Sequence, residues 1–239
     1  MSFGKENLDL VLVPSGLVVM FGYHIWLLYR CLNWPHTTTI GFENNDKKAW
    51  VDKIMQLEEN DTAVPLNVLS NNISASNYMS SVCLTLCAII GTWVANSSSV
   101  FRSTFIYGDM STSTISIKHI SLLICFLLAF SCFIESTRSL IHATYLISMP
   151  NSNVPIKSIE LAVIRGGDFW SLGLRALYLA LLLLLWLLGP IPMFTTSIMM
   201  VCVLYFLDNN TVPLHVHQST KSKEKRTRVA EVLPEEKGY

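Results

Sequence analysis

The stretch from residue 165 to residue 194, RGGDFWSLGLRALYLALLLLLWLLGPIPMF, constrains the fold more than any other part of the chain. Charged residues, aromatic residues, a long apolar run and a helix breaker follow one another within it. Phe169 and Trp170 have amphipathic rings, which prefer the head-group level of a bilayer. From Leu172 to Leu207 the residues stay largely apolar on both sides of the GPIP sequence. The stretch therefore predicts a chain that enters a membrane.

The length of this apolar run limits how it crosses the membrane. Roughly 36 residues at a rise of about 1.5 Å form a helix of about 54 Å, against a hydrocarbon core of about 30 Å. One straight span is too long, and the prolines at 190 and 192 break or kink the helix. Either the second half continues past the interface at an angle, or Met193–Leu207 turns back as a separate short segment. Turning back would move the carboxyl terminus to the other side.

Composition supports a membrane protein. Of the 239 residues, 51% are hydrophobic and only 14% are charged, and the mean hydropathy is +0.43. A soluble core of this size does not hold so many apolar residues. We predict an all-α, polytopic transmembrane bundle of four spans in one domain (1–208), with the last span long and broken at Gly189–Pro192. The spans are expected at about 8–29, 73–95, 119–147 and 172–207.

Four residues are candidates for the membrane interface: His24, Trp26, Trp50 and Trp170. His24 is expected either to form hydrogen bonds at the interface or to act as a ligand that faces the bundle interior. Trp50 belongs to a short amphipathic segment in the connector after the first span. This segment is expected either to lie in the interface, with Trp50 as its anchor, or to pack on the bundle as an ordinary loop helix.

The third predicted span carries ionisable residues before its apolar pattern ends at Ile147. Glu135, Arg138 and His142 fall on one helical stripe. Because an ionised side chain in a bilayer costs several kcal/mol on insertion scales, about 3 for an arginine at the centre, the stripe is expected to face other helices or water. Glu135 and Arg138 are spaced for direct pairing. Asp168 and Arg175 are candidates to complete this polar network from the last apolar segment.

The chemistry of the stripe favours a structural role. Arginine one turn away favours the charged form of Glu135, which argues against a proton shuttle. Glu135 and His142 lie about 10 Å apart along the helix axis, too far to share a metal ion without a ligand from another helix. We predict no metal site and no cofactor. An ion path or a buried head-group site is the alternative use of the stripe.

Five blocks of sequence carry a resemblance to a known family: YHIWLLYR at 23–30, NNISAS at 71–76, ESTRSLIHATYLI at 135–147, RGGDFWSLGLRALY at 165–178 and GPIPMF at 189–194. They resemble the plant membrane proteins known as domain of unknown function 599. The resemblance covers roughly residues 8 to 208. It implies a polytopic helical membrane protein, usually drawn with four spans, and supplies no catalytic residue, substrate or cofactor.

The chain changes character after Leu207. The tail at 209–239 is expected to be disordered, with a basic run followed by an acidic end. The basic run suits an anionic cytoplasmic leaflet and predicts a cytoplasmic carboxyl terminus. With four spans the amino terminus would also be cytoplasmic. Arg30, Lys47 and Lys48 would then lie on the opposite side of the membrane, so the difference in basic residues between the two sides is small. Net charge is zero, so nucleic acid is not an expected partner.

Function is predicted from what the sequence contains and lacks. No phosphate-binding glycine loop, metal-binding histidine pair or nucleophile elbow is present in the sequence. The leading hypothesis is a non-enzymatic membrane protein of the multi-pass type, whose partners are the lipid bilayer and either copies of itself or other membrane proteins. The second is a small channel or transporter that uses Glu135, Arg138 and His142. The third is a lipid-modifying enzyme with its acid and base drawn from His24, Glu135 and His142.

Overall fold

The structure, a computed structural model, describes residues 7–56, 62–96, 111–149 and 155–211. These residues form α-helices almost throughout, as the sequence predicts. The elements in chain order are α1 (Asn7–Asn33), a short 3-10 helix (Pro35–Thr37), α2 (Thr39–Ile54), α3 (Ala63–Asn96), α4 (Thr112–Ile147), α5 (Ile156–Leu188) and α6 (Pro190–Asp208). Most of the predicted tail, from residue 212 to residue 239, lies outside the described residues.

Five of the described helices are long and apolar enough to cross a membrane, namely α1, α3, α4, α5 and α6. The prediction of four spans is therefore wrong by one. The physical reason is Gly189, whose φ of 145° and ψ of 169° reverse the chain between α5 and α6. The helix α6 then returns along α5, so that Asp208 at its end meets Arg175. Of the two arrangements open from the sequence, the turning-back one is observed.

Contacts between helices fix their relative directions. The helices α3 and α4 are antiparallel, because Ser76 bonds to Ser136 while Trp93 packs on His119. By the same reasoning α1 and α6 are parallel, since a Cβ on Gly16 would lie 3.3 Å from Ser197 and Arg30 bonds to Asn209. The crossings alternate in direction from α1 through α3, α4 and α5 to α6. The two ends of the described chain consequently lie at opposite faces, here named the Trp186 face and the Asp208 face.

The helices α4 and α5 approach each other closely through glycines of α5. A Cβ built on Gly166 would lie 2.6 Å from Cδ2 of Leu140, and one built on Gly173 would lie 2.9 Å from the Phe133 ring. In lipid, small residues allow the close backbone approach that gives helices most of their packing attraction. The first glycine of the RGGDFW block is therefore explained by its contact with α4.

At the Asp208 face, α2 covers a separate apolar core. Its members come from α2, α3, α4 and α5: Val51, Ile54, Leu69, Leu140, Ala143, Ile147, Ile159, Ala162 and Val163. The helices α3, α4 and α5 contain 34, 36 and 33 residues, so each is about 50 Å long and exceeds the hydrocarbon core by about 20 Å. The apolar positions of this excess length that belong to the core are covered by protein. The Trp50 segment packs on the bundle, which is one of the two arrangements expected for it.

Candidate functional site

A buried carboxylate at the end of α6 is the centre of the most extensive polar cluster in the described structure. Asp208 accepts two hydrogen bonds from Arg175, Nη2 to Oδ1 at 2.6 Å and Nη1 to Oδ2 at 3.1 Å. The hydroxyl of Tyr23 donates to the same Oδ2 at 2.7 Å. The arginine and aspartate side chains are only 14% and 11% exposed. A bidentate, charge-assisted pair of this kind is among the stronger polar interactions in proteins.

The fold requires this pairing because both charged groups are buried in the bundle. Arg175 is separated from Trp186 by 11 positions, or about 16 Å along α5, so it sits well inside a hydrocarbon core of about 30 Å. A lone arginine or aspartate at this depth is costly, and each neutralises the other. Tyr23 adds a third helix to the pair, so the cluster joins α1, α5 and α6.

The residues after Asp208 extend the cluster onto the connection between α1 and α2. Asn209 accepts a hydrogen bond from Nη2 of Arg30 at 3.1 Å, and that nitrogen also donates to the Thr37 carbonyl at 2.9 Å. The backbone nitrogen of Asn210 donates to the same carbonyl at 3.1 Å. The first two residues of the predicted disordered tail are thus held in place by the α1–α2 connection.

A second polar cluster marks the Trp186 face. The indole nitrogen of Trp186 donates to Oδ1 of Asp9 at 3.1 Å. The ammonium group of Lys118 lies 5.3 Å from the centre of the same ring, within the range of a cation–π interaction. Asp9 and Lys118 are both buried. Charged groups at both faces of the bundle are therefore satisfied within the chain.

The predicted stripe on α4 is found on the outside of the bundle. Nη1 of Arg138 lies 3.4 Å from the carboxylate of Glu135, so the expected pairing is present. However, the two side chains are 79% and 42% exposed, and His142 is exposed as well. The stripe was expected to face other helices or water, and in the single chain it does not face another helix. Arg138 is about 30 Å along α4 from Lys118, which places it at the edge of the hydrocarbon core, where a charge needs no burial.

Asp168 and Arg175 do not join that stripe. Asp168 accepts a hydrogen bond from the amide of Asn44 at 3.0 Å, whereas Arg175 pairs with Asp208. The five residues predicted as one network are divided among three places in the described structure. The stripe lies on the outer surface of α4, Asp168 contacts α2, and Arg175 lies in the core.

The four candidate interface residues have different environments. Trp26 is 41% exposed, stacks on Tyr205 and lies beneath the Arg30 guanidinium. Trp170 meets Phe133 edge-on at 5.3 Å between ring centres. Trp50 is half-buried against the core under α2. Nδ1 of His24 lies 2.8 Å from the carbonyl oxygen of Met20, within hydrogen-bond distance.

Sequence reasoning missed Tyr23, Arg30 and Asp208 as members of a polar cluster. A signal was available, since Arg175 stands inside an apolar run and needs a compensating charge. Asp208 is the first acidic residue after Arg175 in the sequence. Identifying Asp208 as the partner of Arg175 required knowing that the chain turns back at Gly189.

Two cavities lie beside the candidate site residues. A groove of about 780 Å³ separates α1 from α2 and α5, and a cleft of about 440 Å³ lies beneath α2 between Trp50 and Trp170. Both volumes fall in the range of small-molecule sites. Within the part of the chain that the structure describes, no three histidine, cysteine, aspartate or glutamate side chains are grouped to hold a metal ion.

Comparison with known proteins gives a family and no activity. Searches of the curated proteins and of the solved structures find no match to this chain. A family model described as a protein of unknown function, DUF599, matches residues 11–213. This match contains α1 from residue 11 onward and the whole of the other four described helices that are long enough to cross a membrane, as well as α2 and the Asp208 cluster. The chain belongs to the DUF599 family of proteins of unknown function.

Proposed function

We propose that this multi-pass membrane protein is a non-enzymatic component that works by assembling with other copies of itself. The observation that carries the proposal is the outer face of α3. Small or hydroxyl-bearing residues repeat there at alternating intervals of four and three, with Tyr78 as the one large member: Ser74, Tyr78, Ser81, Thr85, Ala88 and Thr92. All six are exposed in the single chain. We call this set the α3 stripe.

The depth of the α3 stripe gives it physical meaning. Ser81 and Thr85 lie about 18 Å and 12 Å from Trp93 along the helix axis, which places them in the middle of the hydrocarbon core. Their hydroxyls donate to the carbonyls of Asn77 and Ser81 one turn earlier. The side chains on this surface of α3 are therefore small, and their hydroxyl donors are satisfied within the helix. Small faces with this spacing allow two helices in lipid to pack closely. A second copy supplies the matching face.

The alternatives are less well supported. A channel or transporter that uses Glu135, Arg138 and His142 needs these groups along an internal path, and they lie on the outer surface of α4. A lipid-modifying enzyme with these groups needs an acid and a base at one site, yet His24 lies on α1 in the groove beside α5. The function as a non-enzymatic protein and its origin in plants stay predictions.

Association through the α3 stripe is testable in membranes. We expect Ser81→Leu and Thr85→Leu to reduce co-purification of two differently tagged copies by roughly tenfold, because each leucine separates the paired helices and forfeits about 1–2 kcal/mol of packing. The control is Val203→Leu, which adds bulk to a lipid-exposed position on α6. It should leave co-purification unchanged.

Two results would contradict this proposal. The wild-type chain could be monomeric at all protein-to-lipid ratios, as judged by energy transfer between labelled copies. Alternatively, the two stripe variants could associate as strongly as Val203→Leu while all three fold equally well. Either result would move the search to an assembly surface elsewhere or to a different partner protein.

We further propose that the Asp208 face is cytoplasmic. Five crossings bring several basic residues together at this face, in the segments around α2 and before or within the start of α5: Arg30, Lys47, Lys48, Lys53, Lys157 and Arg165. In the sequence, the basic run of the carboxyl-terminal tail follows the end of α6 at this face. Among the described residues, the opposite face has Lys118 as its basic residue. An excess of lysine and arginine in short segments favours the cytoplasmic side.

Tags at the two ends test this orientation. In sealed, cytoplasmic-side-out vesicles, we expect protease to remove a tag after Tyr239 and to spare a tag before Met1 until detergent is added. The physical reason is the odd number of crossings together with the basic bias of the Asp208 face. Removal of both tags from intact vesicles would contradict five crossings. Removal of the amino-terminal tag alone would contradict the orientation and leave the number of crossings intact.

A further inference from the structure

The groove between α1, α2 and α5 changes from polar to apolar along its length. At the α2 end it is lined by Asn44, Lys48 and Asp168, and farther into the membrane by Phe21, Ile25 and Leu172. Each of the three apolar side chains is at least 49% exposed in the single chain. A groove with this gradient suits an amphiphile whose polar end lies at the interface and whose apolar end lies in the bilayer.

The charges at the α2 end restrict the polar group of such an amphiphile. Lys48 is exposed, and among the described residues no carboxylate forms an ion pair with it. Asp168 is also exposed and uses only Oδ1 to accept from Asn44. A cation and a carboxylate at one end of the same groove complement a head group that carries an anion and a cation. A purely anionic head group would be attracted to Lys48 and repelled by Asp168.

His24 adds a further polar position inside the groove. Its Nδ1 faces the Met20 carbonyl, which only accepts, so Nδ1 carries the proton and Nε2 of the neutral ring is an acceptor. That Nε2 is buried and has no hydrogen-bond partner among the described residues. Buried acceptors are seldom left unsatisfied. His24 thus marks a polar position inside the groove, and it does not select the head group.

From these observations we propose that the α1/α2/α5 groove binds one phospholipid with a zwitterionic head group. The phosphate pairs with Lys48 and the ammonium with Asp168, while an acyl chain lies along Phe21, Ile25 and Leu172. From Phe21 to Leu32, another lining residue, α1 offers about 16 Å of length to this chain. Because α1 packs mainly on α6 in this region, the lipid fills the separation between α1 and α5.

Thermal unfolding of the delipidated full-length chain in detergent tests this site. We expect phosphatidylcholine or phosphatidylethanolamine to raise the Tm by about 5 °C at saturating concentration. Phosphatidylglycerol with the same acyl chains should raise it by less than half as much. Lys48→Met should weaken the stabilisation by zwitterionic and anionic lipids alike, because both head groups carry a phosphate, and Asp168→Asn should abolish the preference. The second variant keeps an oxygen for the Asn44 amide, so the fold is preserved while the charge is lost.

The same chemical changes outside the groove are the matched controls. Lys53→Met and Asp52→Asn alter α2 at positions that do not line the groove, and both should keep the full preference. Equal stabilisation of the wild-type chain by all three lipids would overturn the proposal. So would a preference that persists in Asp168→Asn, or a stabilisation that Lys48→Met leaves undiminished.

A second measurement does not depend on head-group selectivity. Ser171 lines the groove between its polar and apolar parts, and Ser171→Phe is expected to fill it. Mass spectrometry of the purified protein should then find co-purified zwitterionic phospholipid reduced at least fivefold relative to wild type. An unchanged lipid content in folded Ser171→Phe would overturn the proposal. If that variant does not fold, the lipid contents of Lys48→Met and Lys53→Met decide, because only the first should fall.

Discussion

Removing the charge of Asp208 is expected to destabilise the protein by about 3–5 kcal/mol. In Asp208→Asn the guanidinium of Arg175 stays buried without a counter-charge. The asparagine still has a side-chain oxygen that can accept the hydrogen bond from the Tyr23 hydroxyl. Arg175→Met leaves the carboxylate in the same position and should cost a similar amount. For a chain of this size, the corresponding fall in Tm is roughly 10 °C. Thermal unfolding in detergent, followed by tryptophan fluorescence, measures it.

The double variant separates pairing from packing. Because Arg175→Met and Asp208→Asn each remove the partner of the other, the combined loss should be clearly smaller than the sum of the two single losses. Additive losses would mean that the two charges do not interact as described. The stability loss of each single variant would then come from a separate packing defect, one in α5 and one in α6.

The exposed pair on α4 is the matched control for the buried one. Glu135→Gln and Arg138→Ala disrupt an ion pair of the same chemical type whose side chains are 42% and 79% exposed. Exposed pairs contribute about 0–1 kcal/mol, so each change should lower the Tm by no more than about 3 °C. A loss as large as that of Asp208→Asn would show that the α4 stripe is buried in the assembled protein.

The contrast between the two pairs shows where sequence reasoning reached its limit. Helical periodicity correctly placed Glu135 and Arg138 within reach of each other. It also indicated that the apolar pattern continues to Ile147, and from this the stripe was predicted to lie within the membrane. The pattern continues because Leu140, Ala143 and Ile147 pack beneath α2, not because lipid surrounds them. A hydrophobic pattern alone does not distinguish these two surroundings.

The α5–α6 hairpin shows a second limit of the same kind. Apolar length and the GPIP sequence predicted a break, and both a bend and a return were open. The dihedral angles of Gly189 and the pairing of Asp208 with Arg175 decide for the return. Sequence signals for a turn are local, whereas this choice depends on a contact between residues 33 positions apart. The helical class and the family, in contrast, followed from the sequence alone.

The return at Gly189 gives the second large effect. Its φ of 145° and ψ of 169° lie in a region that is essentially open to glycine only, and a side chain there costs about 1–3 kcal/mol. Gly189→Ala also shifts α6 relative to α5, which weakens the bidentate contact of Asp208. We expect a total loss of at least about 3 kcal/mol, measured as a fall in Tm during thermal unfolding in detergent.

Two other glycines make a sharp comparison with Gly189. Gly22 in α1 and Gly91 in α3 have no positive φ, and a Cβ built on either would meet no atom within 4 Å. Alanine is a better helix former than glycine by about 1 kcal/mol, so Gly22→Ala and Gly91→Ala should leave the Tm unchanged or raise it. The same chemical change therefore has opposite expected signs inside a helix and at the turn. If Gly189→Ala matched the other two, the chain would not reverse at this residue, and both the fifth crossing and the placement of Asp208 would have to be abandoned.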